Sequence, residues 1–168
     1  VVALGKFDGM HKGHQLIFDE LIQYKQLGYQ AAVFSFDRPP LNMLKHKHMR
    51  VIYTTNEKIK LLARRGIDIY IEHPFTDEFS HLSPEDFVIK VLLEKTGMKV
   101  LVVGDDCGFG YKRQGNVELL KRMSKEYDFK LIVIPKLELK GEIVSSTRIR
   151  RLLSEGKVEE ANRLMEDP

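Results

Sequence analysis

One cysteine, Cys107, in 168 residues leaves no internal disulfide to form and no multi-cysteine set to hold zinc or an iron–sulfur cluster. Such a chain suits a reducing compartment, and the cytoplasm is the expected one. No apolar stretch approaches the roughly 20 residues a membrane helix needs. Val1 to Leu4 also lack the charged flank and the length of a signal peptide. Neither sign of charge is gathered into a long run: the net +3 is spread along the chain, which suits an anionic small molecule at least as well as nucleic acid. Internal repeats, low-complexity tracts, a Walker P-loop and a Gly-x-Gly-x-x-Gly after a strand are all absent, as is an evident pair of catalytic carboxylates.

What remains is an ordinary globular composition, 43% hydrophobic and 30% charged, expected to form one domain over residues 1–168. An opening strand-like run without an initiator Met, and an abrupt stop at Asp167-Pro168, point to a piece of a longer polypeptide. Apolar runs rich in β-branched residues recur at 1–4, 31–36, 67–71, 100–103 and 131–134, reading as strands buried on both faces. Amphipathic stretches at 15–27, 57–65, 84–96 and 117–126 separate them, and a short helix over 157–165 is expected on the outside of the domain. The polar stretch 45–50 reads as a loop. The alternation predicts an α/β fold, a doubly wound parallel five-stranded sheet with helices on both faces. Ligands bind such sheets beyond the carboxyl ends of the strands, so the strand exits carry the functional information.

After the first strand comes Gly5-Lys6-Phe7-Asp8-Gly9-Met10-His11-Lys12-Gly13-His14. Gly5 and Gly9 permit a sharp turn and close approach to a ligand, and Gly13 leaves room at the helix start. His11 and His14 project from that start toward one space, where free N–H groups and partial positive charge already favour an anion. Two imidazoles, neutral or cationic near pH 7, make this a phosphate site. Alone, two histidines in a loop read as a solvated turn; three interleaved glycines at a strand-to-helix exit argue otherwise. With no third ligand nearby, a metal site is not expected here.

Ser145-Ser146-Thr147-Arg148-Ile149-Arg150 opens another helix, with hydroxyls and N–H groups at its start and Arg150 one turn on, a second phosphate cradle. Between the two cradles, Gly104-Asp105-Asp106-Cys107-Gly108-Phe109-Gly110 follows the fourth strand, with acids suited to magnesium or a ribose. Cys107 reads as a small buried filler, since no histidine accompanies it.

These residues resemble the nucleotidyltransferases with an His-x-Gly-His signature, and within them the FMN adenylyltransferase module of bacterial FAD synthetases. The run 5–14 is similar to that family's Gly-x-Phe-Asp-Gly-x-His-x-Gly-His, and 144–150 to its Ile-Ser-Ser-Thr-x-x-Arg. Two departures stand out: Phe36-Asp37-Arg38-Pro39-Pro40 where the family reads Phe-x-Pro-His-Pro, and Cys107 where it has Phe. The resemblance implies a Rossmann-like nucleotidyltransferase fold and the reaction of ATP with FMN to give FAD and pyrophosphate, assisted by Mg2+, without a covalent enzyme intermediate. It implies catalytic roles for His11, His14, Ser145, Thr147 and Arg150. Nucleotide and flavin contacts are implied at Gly5, Phe7, Asp8, Gly9, Gly13, Asp37, Pro40, Gly104, Asp106, Phe109 and Ser146. It also implies a fused C-terminal riboflavin kinase domain beyond these residues. The alternatives are an adenylyltransferase with another phosphate-bearing acceptor, or a catalytically silent nucleotide- or flavin-binding module.

Overall fold

The computed structural model describes residues 1–37 and 51–165. Its sheet contains β1 (Val2–Leu4), β2 (Ala32–Phe36), β3 (Ile69–His73), β4 (Val100–Gly104) and β5 (Lys130–Ile134), in the order β3-β2-β1-β4-β5 with every pairing parallel. β1 is the central strand, and the chain winds outward first through β2 and β3, then through β4 and β5. The order therefore reverses between β1 and β4, where a crevice opens beyond the strand ends.

Side-chain alternation divides the core into two layers. Ala3, Val33 and Val102 face α1 (Lys12–Gln26) and α2 (Thr55–Arg64), meeting Phe18, Leu21 and Leu62. Leu4, Phe34, Leu101 and Val103 face the opposite way, toward α4 (Pro84–Asp86), its continuation, and α5 (Val117–Glu126). Only the three inner strands are buried on both faces; β3 and β5 are edges and half-buried.

The helices begin where side chains can satisfy their free N–H groups. Thr54 and Glu57 form a reciprocal capping box on α2, and Thr76 caps the short α3 (Asp77–Ser80). The stretch expected as one helix over 84–96 makes a single α turn and then widens into a π-helix, Phe87–Lys95. Its buried residues, Phe87, Val88, Val91 and Leu92, recur at a spacing that a wider turn still keeps on one face.

Past β5 the chain forms an unanticipated hairpin, β6 (Glu138–Leu139) with β7 (Glu142–Ile143). Its two-residue turn puts Lys140 (φ 57°) and Gly141 (φ 74°) in the left-handed region, the pattern of tight hairpins. Arg148 pins the hairpin by donating to the Leu139 and Glu142 carbonyls. α6 (Ser146–Ser154) and α7 (Val158–Leu164) then pack on each other through Ile149, Leu152, Ala161 and Leu164. The last helix does more than cover the outside, because Met165, just after it, makes a backbone bridge to His11.

Candidate active site

The exits of β1, β4 and β5 and the start of α6 line one cavity of about 390 Å3 at the point where strand order reverses. Most of the residues singled out from the sequence meet there: Gly5, Phe7, Asp8, His11, Gly13, His14, Gly104, Asp106, Phe109, Ser145, Ser146, Thr147 and Arg150. Gly9 lies behind the wall at φ 81°, where a Cβ would stand 2.9 Å from the Ile52 side chain. Asp37 is outside the lining and accepts from the Phe75 N–H at 2.7 Å, fixing the loop after β3. Pro40, Arg38, Pro39 and the loop 45–50 lie outside the described residues.

At the start of α1 the rings of His11 and His14 stack with centroids 3.6 Å apart and planes 17° from parallel. His11 is the N-cap residue, and its side chain makes no capping bond. Gly13 permits the arrangement, since a Cβ there would sit 3.2 Å from His11 Nδ1. Phe7 is 2% exposed and sets its ring edge against His14, with centroids 5.2 Å apart. Its backbone is left-handed at φ 49°, an uncommon state for a bulky residue. That bend turns a side chain from the strand exit inward beneath the histidine pair.

Burial pushes His11 down to about 4 and His14 well below the ordinary value, the latter further lowered by His11 beside it. Of the two charge states the sequence left open, this burial favours the neutral one for both rings. The Nδ1 atoms of both rings are buried without a hydrogen-bond partner. Each unmet group costs about 1–3 kcal/mol.

The start of α6 is already engaged. Ser145 caps the helix by accepting from the Arg148 N–H at 3.2 Å. The Ser146 hydroxyl donates to the Asp8 carbonyl, and the Arg150 guanidinium pairs with the Asp8 carboxylate. The other Asp8 oxygen accepts from the Ile52 N–H at 3.0 Å. Asp8 thus ties the first loop both to the approach to α2 and to α6. Thr147 is exposed at the cavity edge.

On the β4 side, Asp105 accepts from the Lys136 N–H and Asp106 Oδ2 lies 3.3 Å from Lys136 Nζ. Cys107 lines the wall with its thiol pushed up to about 12, chiefly by burial, which fits a filler and not a nucleophile. Sequence reasoning missed an aromatic end of the cavity formed by Phe36, Phe75, Phe79 and Leu82, in which Phe79 packs against Phe36 with centroids 5.6 Å apart. It also missed Lys6 and Arg113, both in the lining.

The resemblance implies magnesium. Among the described residues no group of three or more His, Cys, Asp and Glu side chains could hold a metal ion. The site therefore does not fit a protein-built magnesium cage. A magnesium ion carried on substrate phosphates needs no such cage.

Comparison with known proteins agrees with this geometry. The family model described as FAD synthetase matches residues 1–148. A "FAD synthetase" of Listeria monocytogenes is 33% identical over 100% of this chain and 69% of its own length. A "Bifunctional riboflavin kinase/FMN adenylyltransferase" of Buchnera aphidicola is 38% identical over 99% of this chain and 54% of its own length. The chain thus spans about half the length of the bifunctional relatives it matches. A crystal structure described as a macrolide-efflux protein from Streptococcus pneumoniae superposes with a TM-score of 0.87 at 30% identity, covering 100% of this chain and 56% of that one. Among the described residues, no helix is long and apolar enough to cross a membrane. With a parallel sheet that reverses between β1 and β4, a histidine pair over the crevice and a family match over most of its residues, this chain belongs to the FAD synthetase family.

Proposed function

We propose that residues 1–168 transfer AMP from ATP to FMN, giving FAD and pyrophosphate. The carrying observation is the two-ended cavity: aromatic side chains Phe36, Phe75 and Phe79 at one end suit a flavin ring. The starts of α1 and α6 at the other suit a triphosphate.

A phosphate monoester has its second pKa near about 6 and is mostly dianionic at neutral pH, so its oxygen can attack the α-phosphorus of ATP without a general base. The new P–O bond forms as the bond from the α-phosphorus to the bridging oxygen breaks, and the electron pair leaves with pyrophosphate. No proton moves in that step. The protein's task is alignment of two repelling anions and neutralisation of growing charge. His14, with His11 stacked on it, donates to the α-phosphate oxygens in the transition state. Ser145, Ser146, Thr147 and Arg150, with the N–H groups at the start of α6, receive the β- and γ-phosphates. Gly5, Gly13 and Gly104 let the backbone come close, Gly9 makes room for Ile52, Phe7 supports His14, Asp8 holds the two cradles together, and Asp106 and Phe109 border the nucleoside. Asp37, which holds Phe75 at the aromatic end, belongs to the acceptor side. Mg2+ bound to the triphosphate would offset part of its charge.

The bifunctional relatives extend well beyond the length this chain matches, and our reading gives their riboflavin kinase activity to that extra length. A Listeria relative named for FAD synthesis alone supports giving the adenylyl transfer to the matched part. The cytoplasm is the proposed setting, in keeping with a chain that has a single cysteine. The test is incubation with ATP, Mg2+ and either FMN or riboflavin, with the flavin products separated by chromatography. FAD from FMN, with riboflavin untouched, is expected; no FAD from FMN sinks the reading.

A further inference from the structure

Hairpin β6–β7 is too small to hold its own shape. It pairs only Glu138 with Ile143 and Leu139 with Glu142, and an isolated two-stranded hairpin is marginal in water at any ordinary length. Its base nonetheless borders both helix starts that frame the cavity. Leu137 reaches the start of α1, where a Cβ on Gly13 would stand 3.8 Å from the Leu137 Cβ. Val144 leads directly into Ser145, the N-cap of α6, and its N–H donates to the Leu137 carbonyl at 2.8 Å. Leu137, Ile143 and Val144 all line the cavity. A hairpin that shifted would carry this wall with it.

What holds the hairpin is Arg148, in the first turn of α6. Its Nη1 donates to the Leu139 carbonyl at 3.2 Å and to the Glu142 carbonyl at 3.0 Å, the residues on either side of the Lys140-Gly141 turn. Nε lies 3.0 Å from the Glu142 carboxylate, at ion-pair distance without the alignment of a hydrogen bond. The same carboxylate oxygen is 3.2 Å from Arg151. Both arms are thus gripped at the turn, from a helix whose own start is capped by Ser145 and tied to the Asp8 carbonyl by Ser146. Hydrogen bonds from a charged donor are about twice as strong as neutral ones, so this grip outweighs the hairpin's own pairing. The Arg148 side chain is 17% exposed and is not among the residues lining the cavity, so it reaches a ligand there through the hairpin.

We propose that Arg148 is a positioning residue for the triphosphate: by latching hairpin β6–β7 to α6 it holds Leu137, Ile143 and Val144 as the wall that the two helix starts share. The proposal rests on the reading that the starts of α1 and α6 receive the phosphates of ATP. A loosened wall admits water between the two cradles and weakens every charge interaction made there, while the aromatic end keeps its shape.

The experiment titrates ATP with Mg2+ by calorimetry, and riboflavin by its fluorescence, into wild type, Arg148→Met, Arg148→Lys, Glu142→Gln and Asn116→Ala. KM for ATP and for FMN and kcat are taken from FAD formation, and KM for ATP reads the same comparison as the calorimetry. Arg148→Met is expected to weaken ATP roughly 10- to 100-fold, with riboflavin affinity, KM for FMN and kcat at saturating ATP within about threefold. Arg148→Lys should recover part of the loss, since an ammonium keeps the charge but not the planar fork. Glu142→Gln leaves both carbonyl contacts in place and should weaken ATP by up to about fivefold, the range of a partly exposed ion pair. If Arg148 instead touched phosphate directly, removing its competing carboxylate would tighten ATP. Asn116→Ala uncaps α5 outside the cavity lining and should lower the melting temperature without weakening ATP.

Tighter ATP binding in Glu142→Gln, an unchanged ATP affinity in Arg148→Met, ATP and riboflavin affinities falling together, or an equal loss in Asn116→Ala would overturn the latch. Wild type that binds ATP but makes no FAD, with ATP weakened by Arg148→Met, keeps the latch and sinks the adenylyl-transfer reading. Wild type that makes FAD while Arg148→Met keeps its ATP affinity does the reverse. Wild type that neither binds ATP nor makes FAD overturns both.

Discussion

At the start of α1, two neutral imidazoles stack with buried, unpartnered Nδ1 atoms and no side-chain cap; at the start of α6, one hydroxyl caps the helix, the next holds Asp8, and Arg150 is ion-paired. Both helix starts offer N–H groups and partial positive charge to the same cavity. The first holds its polar groups in reserve, at a cost to stability, while the second spends them on holding the fold together. One is built to act, the other to keep shape until phosphates exchange with Asp8. Variants at the first should therefore damage turnover more than stability, and variants at the second the reverse.

The largest expected effect is at His14. His14→Ala removes a transition-state donor and should raise the barrier by about 2.7–4 kcal/mol, with a melting temperature no lower than wild type. Turnover within about threefold of wild type would break the comparison. Next comes Asp8→Asn, which leaves the half-buried Arg150 without its carboxylate. Loss of a hydrogen-bonded charge pair should cost about 1.5–3 kcal/mol in urea unfolding, with a smaller loss of kcat than His14→Ala. An Asp8→Asn protein of unchanged stability would mean that the second cradle is not structural.

The pH dependence of stability sharpens the contrast further. With His11 held at about 4 against an ordinary 6.5, the unfolded chain binds a proton that the native ring refuses. Stability present above pH 6.5 is thus lost as pH falls toward 4, at up to about 1.4 kcal/mol per pH unit for one group. His14 shifts in the same direction. Unfolding midpoints measured at several pH values across that window should show a flatter slope in His11→Gln than in wild type. Equal slopes would argue that the pair is not neutral in the native state. The smallest effect belongs to Ser145→Ala, which removes the cap of α6 and should cost about 1 kcal/mol of stability.

Much of the architecture was legible because it is local. β-branched runs marked all the strands of the main sheet, and N-cap residues such as Ser145 marked where a helix begins. The glycines of the first loop announced close approaches, and Gly13 beside His11 bears that out. Hidden were features that depend on pairing across the chain. The charge state of the histidines follows from burial beneath Phe7 and Phe18, which no spacing reveals. The ion pair of Arg150 with Asp8 was hidden because the two partners sit at opposite ends of the sequence. Lys6 and Arg113 were given no role, although Lys6 lies within the glycine loop itself. The hairpin left a signal, Lys140-Gly141 between short extended pieces, that a search for tight turns would have found.

The bond between Asp8 and Arg150 spans 142 residues, and the one from Ser146 to the Asp8 carbonyl spans 138. On a ribosome adding about 5–20 residues per second, roughly 7–28 s separate the emergence of the two partners. Through that interval the nascent chain exposes a glycine loop bearing His11 and His14 without the helix that anchors it. A ribosome-stalled chain ending before Ser145 should accordingly protect its β1 loop poorly from protease, and ATP should not restore that protection.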